Sequence, residues 1–177
     1  KLHMSVVIHD FIDLMNFYGE RTLDRTDCND NVACSSADDW GDQVDAVVLV
    51  TSNGGMCSAA IVNNTAFDLE PYIIYAAHCN GGSSTVYFNY QATSCSGNNP
   101  GNYNTMSGTQ TLAVGNFNNN DYALIKLNND IPSSYGAYYA GWNRSTSSPG
   151  NNVVGIHHAD GDIKKISYDA YGMGSSG

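Results

Sequence analysis

Apolar and β-branched residues come in short runs divided by turn-forming residues, a pattern that predicts strands rather than helices. Six runs come first: Asp45 to Thr51, Cys57 to Val62, Tyr72 to Ala76, Thr85 to Gln91, Thr109 to Val114 and Tyr122 to Leu127. Asn53-Gly54-Gly55, Asn80-Gly81-Gly82 and the stretch Asn116 to Asn120 break them, and Ser94 to Thr105 reads as a long polar loop. Six short antiparallel strands can curl into a small closed barrel, which removes exposed sheet edges. A second group follows Ile131-Pro132: Tyr138 to Trp142, Val153 to His157 and Ile163 to Tyr168, with Ala159-Asp160-Gly161-Asp162 turning between the last two. The expected fold class is all-β, with residues 28–130 forming a complete first barrel and residues 131–177 part of a second. Residues 1–27, acidic and mixed, read as a linker or pro-region.

Composition narrows the function. Seven Lys plus Arg against 17 Asp plus Glu give a net charge of -10, which repels phosphate backbones and argues against a nucleic-acid partner. No apolar run reaches the roughly 18 residues that a membrane span needs, and no cofactor motif is present. Five cysteines suggest an oxidising compartment and leave one thiol over.

The most informative stretch is Tyr75-Ala76-Ala77-His78-Cys79, a histidine beside a cysteine after an apolar run, with Cys57 upstream. A histidine held in one orientation has the reference pKa, about 6.5, that suits a general base. Asp121, at the head of an apolar run, is the candidate acid to orient it. His157 and His158 lie near Asp160 and Asp162, but adjacent strand residues point to opposite faces, so no metal site is expected there.

Several separated motifs carry a resemblance. Met56-Cys57-Ser58 through Asn63-Asn64-Thr65, the His78 stretch, Val86 to Gln91 with Cys95, Asp121 to Leu127, Tyr139-Ala140-Gly141-Trp142, and Gly155-Ile156-His157-His158 followed by Lys164-Lys165-Ile166-Ser167 resemble secreted bacterial lysyl endopeptidases of the trypsin-like serine protease superfamily. The resemblance implies a double β-barrel and a triad of His78, Asp121 and a serine, in the order of the chymotrypsin-type arrangement. Gly174-Ser175-Ser176-Gly177 is similar to the nucleophile motif, so Ser176 would attack while the N–H groups of Gly174 and Ser176 form the oxyanion hole. Read by itself, the same Gly/Ser run is equally a flexible tail. Only Tyr168 to Met173 separates it from the last predicted strand, and the short second barrel and odd cysteine lead us to expect that the chain is a C-terminally truncated piece.

The resemblance further implies the disulfides Cys57–Cys79 and Cys34–Cys95, each worth roughly 3 to 4 kcal/mol by chain entropy. Cys28 would pair outside the chain. Residues 1–27 would be a pro-region cleaved near Arg25 or Cys28, the protein would be secreted, and its partner would be a protein or peptide cut after lysine. The alternative is a noncatalytic protease-like domain for binding or adhesion. Tyr138, Tyr139 and Trp142 are read as barrel packing.

Overall fold

The structure is a computed structural model and describes residues 29–52, 55–116, 118, 120–144 and 151–170. Within these residues the fold is mostly β. Strands β2 (Val47–Ser52), β3 (Gly55–Val62), β4 (Tyr72–Tyr75), β5 (Ser84–Phe88), β6 (Asn104–Ser107), β7 (Thr109–Val114) and β8 (Ala123–Leu127) form one antiparallel sheet in the order β6-β5-β2-β3-β4-β8-β7. The edge strands β6 and β7 are consecutive in the chain, and Gly108 alone joins them. A sheet whose two edges share one bend has curled on itself, and Gly108 makes that bend possible. Its φ is +91°, and a Cβ there would lie 2.9 Å from the Asn128 amide nitrogen.

The expected six-strand sheet therefore has a seventh member. Strand β6 begins in the last two residues of the stretch read as a polar loop; of its side chains Asn104, Thr105, Met106 and Ser107 only Met106 is apolar, and backbone pairing with β5 makes the strand. The chain also turns helical before β2, through a 3-10 turn (Ser35–Trp40) and α1 (Gly41–Ala46), so the strand expected from Asp45 starts at Val47.

A second, three-stranded sheet has the order β1 (Asp30–Asn31), β10 (Lys165–Asp169), β9 (Val153–His157). Its β9–β10 hairpin turns through Ala159–Gly161, with Asp160 and Gly161 at positive φ. The strand expected over Tyr138 to Trp142 is not formed. Ala140 makes a single parallel bridge to Val62, bonding Ile61 and Asn63 through its backbone. Tyr139 packs on the barrel core, but Trp142 is 53% exposed and so is not core packing.

Two clusters hold the fold. Val48, Val50, Ala59, Ile61, Ile73, Tyr75, Val86, Phe88, Ala123, Ile125 and Leu127 fill the curled sheet. They alternate along each strand, as one-sided burial requires. Strand β2 departs from that alternation because it is buried on both faces: Val48 and Val50 point inward, while Val47 joins Ala37, Val44, Val154, Ile156 and Ile166 in the second cluster.

Candidate active site

The register of one ladder places the two residues of interest together. Strands β4 and β8 pair antiparallel and end at Tyr75 opposite Ala123. His78 lies three residues beyond Tyr75, and Asp121 two residues before Ala123, so both extend from the same end of the ladder although 43 positions separate them. His78 sits in a 3-10 turn, Ala77–Cys79.

Asp121 grips this turn twice. One carboxylate oxygen accepts the backbone N–H of His78 at 3.0 Å, and the other lies 2.6 Å from the ring Nδ1. An ionised carboxylate only accepts, so Nδ1 carries the hydrogen and the basic lone pair of the neutral ring is at Nε2. The side chains are 31% and 28% exposed, which leaves the pair open to an incoming molecule. This is the arrangement by which a carboxylate fixes a histidine's tautomer and steadies the imidazolium once it forms.

Two further anchors hold the turn. A disulfide joins Cys79 to Cys57 on β3, and Ser52 at the end of β2 pairs its hydroxyl with both backbone groups of Gly81, accepting from the N–H at 3.1 Å and donating to the carbonyl. Ser52 gave no signal in the sequence, because a serine closing a strand looks like any turn residue. Recesses flank the pair. One of about 340 Å³ runs past His78 between Met56 and Gly81, and one of about 390 Å³ lies beside Asp121 under Tyr122 and Trp142.

The second disulfide joins Cys34 to Cys95, so among the described residues the pairs are those the resemblance implies. Ligand atoms of Cys57, His78 and Cys79 lie within 4.8 Å of one another, but the two sulfurs are bonded to each other and offer no thiolate to a metal. Of the second histidine pair, His158 is buried and its Nδ1–H donates to Asp162 O at 2.9 Å. Burial, with Lys164 nearby, pushes its pKa down to about 3. Ser176 and Gly174, expected as nucleophile and oxyanion donors, lie outside the described residues, as do Cys28 and residues 1–27. No helix among the described residues is long and apolar enough to cross a membrane.

Fold and site together define an all-β barrel protein with a carboxylate-held histidine at its rim. Its place within that class is given by residues 24–176, which match the family described as lysyl endopeptidase, C-terminal domain. The chain belongs to that family, which is peptidase-related.

Proposed function

We propose that the chain is the protease domain of a secreted serine endopeptidase with a trypsin-like double barrel, and that it hydrolyses peptide bonds through His78, Asp121 and Ser176. The observation that carries this reading is the double grip of Asp121 on the ring and backbone of His78. A serine hydroxyl attacks a carbonyl well only when a base takes its proton, and an imidazole held by Nδ1 offers Nε2 for that purpose. Ser176 Oγ bonds to the carbonyl carbon and its proton passes to Nε2. The imidazolium then protonates the leaving amine, and water repeats the sequence to free the acid. The N–H groups of Gly174 and Ser176 bind the oxyanion, each donor being worth about 3 kcal/mol.

The family name and the acidic surface, net charge -10, both favour cleavage after lysine. Two disulfides fit an oxidising, extracellular setting, and residues 1–27 act as the pro-region. A fluorophosphonate probe tests the chemistry. The folded parent is expected to carry the adduct on Ser176 by peptide mapping, and His78→Ala is expected to lose it. A folded parent that takes up no probe would return the protein to the noncatalytic binding reading.

A further inference from the structure

The turn that presents His78 ends at Asn80, whose N–H closes it by donating to Ala77 O at 2.9 Å. The side chain of Asn80 reaches away from that turn. Its oxygen accepts from Tyr75 Oη at 2.9 Å and from Thr111 Oγ1 at 3.4 Å. These donors stand on the two strands that flank β8, the strand Asp121 leads into. Tyr75 closes β4, and Thr111 lies on β7 opposite Ile125 of β8. One amide oxygen thus ties the turn of the base to both neighbours of the strand that places the acid.

Tyr75 is 2% exposed, so its ring is fixed by the core and its hydroxyl is held where it reaches Asn80, with Ser84 also beside it. Burial also raises the pKa of this phenol, which keeps the proton it donates. The exposed turn has no comparable packing of its own: His78 is surface-exposed, and Ala77, Cys79 and Asn80 are half-buried.

We propose that Asn80 is a positioning residue which, by accepting from Tyr75 and Thr111, sets the rotation of the His78 turn so that the imidazole meets Asp121. This rests on the reading of His78 and Asp121 as a base and its orienter. Asn80 touches no reacting atom; it acts through the direction of the His78 backbone N–H and ring. Without its side chain the turn keeps the Cys79 and Gly81 anchors on the β2–β3 side and loses the one facing Asp121.

The test follows the His78 Nδ1 proton by nitrogen-edited NMR on the full chain, a readout that does not need turnover. In the parent this proton is expected downfield and slow to exchange, and Asp121→Asn abolishes it. Tyr75→Phe removes one hydroxyl from a packed ring and is expected to speed exchange roughly tenfold, the factor for one ordinary hydrogen bond. Asn80→Ala is expected to exceed that and to lower the midpoint of the His78 titration, because the imidazolium loses part of its partner. Asn80→Asp keeps the acceptor oxygens and restores slow exchange. Parent-like exchange in both Tyr75→Phe and Asn80→Ala, with the signal still lost in Asp121→Asn, overturns the proposal alone. A signal that survives Asp121→Asn overturns the pairing and the proposal with it.

Discussion

In the curled sheet the core is apolar apart from a few hydroxyls, those of Tyr75, Ser52 and Ser84, whereas the three-stranded sheet shares its interior with Asn31, His158, Lys164 and Lys165. The first sheet supplies its own core. The second borrows one, since Val47 comes from β2 and Ala37 and Val44 from the helical turns before it. Most of its buried polar groups are tied by directed bonds, His158 Nε2 being left without a hydrogen-bond partner among the described residues. Lys164, fully buried, donates to Val44 O at 2.7 Å, and its backbone N–H donates to Tyr90 O at 2.9 Å. Lys165 donates to Asn31 Oδ1 at 2.7 Å, and the Asn31 amide donates in turn to Cys95 O and Gly97 O, each at 2.7 Å. A large apolar core tolerates loose specification by pattern, while a small one leans on directed bonds whose loss leaves buried groups unpaired. The site sits on the first sheet, where rigidity comes from packing, and this suits a pair that must hold a 2.6 Å contact.

The contrast can be broken by mutation. Phe88 is 1% exposed at the centre of the first core, so Phe88→Ala is expected to cost about 4 kcal/mol in denaturant unfolding. A loss below about 1 kcal/mol would show that this core is not what holds the sheet. Asn31→Ala strips one acceptor from a buried ammonium and one amide from two carbonyls, and is expected to cost about 3 kcal/mol, with hydrogen exchange rising first in β1 and β10. Uniform exchange across both sheets would erase the distinction between them.

A smaller effect sharpens the comparison through pH. Burial lowers the pKa of Lys164 to about 7 from its ordinary value of 10.5, with Asp45 opposing the change. Below pH 7 folded and unfolded chains both hold the proton, and the buried charge penalises the fold in full. As pH rises from about 7 to 10.5 the folded chain releases its proton while the unfolded chain keeps it, so the parent gains stability through that window. Lys164→Met removes the penalty and orphans the Val44 carbonyl, for a net gain of about 2 kcal/mol below pH 7 that vanishes as pH rises. Parallel stability curves for parent and variant across that range would contradict a Lys164 whose pKa is lowered by burial.

What could be read beforehand follows the same division. Strands β7 and β9 fall on their expected bounds and the other runs of the curled sheet within a few residues, because Ile73 and Tyr75, Val86 and Phe88, or Ala123, Ile125 and Leu127 alternate as a half-buried strand must. Strand β6 escaped because only Met106 of its four side chains is apolar, and the strand is made chiefly by backbone pairing with β5. The run from Tyr138 to Trp142 misled in the opposite way: aromatic residues satisfied by draping over the barrel look like strand residues when only their type is known. The pairing of His78 with Asp121 was legible as chemistry, and the β4–β8 register supplies its geometry. Asn80, Ser52 and the buried lysines were not legible, since each matters for what it bonds across the chain.

The most direct measurement is the rate at which a fluorophosphonate labels the parent and Asp121→Asn across neutral pH, with folding of both checked by circular dichroism. If Asp121 orients His78 as a base, parent labelling rises with pH as one group loses its proton, and the asparagine variant, left with the wrong tautomer, falls by about 10⁴-fold. Equal rates for the two proteins would contradict the account.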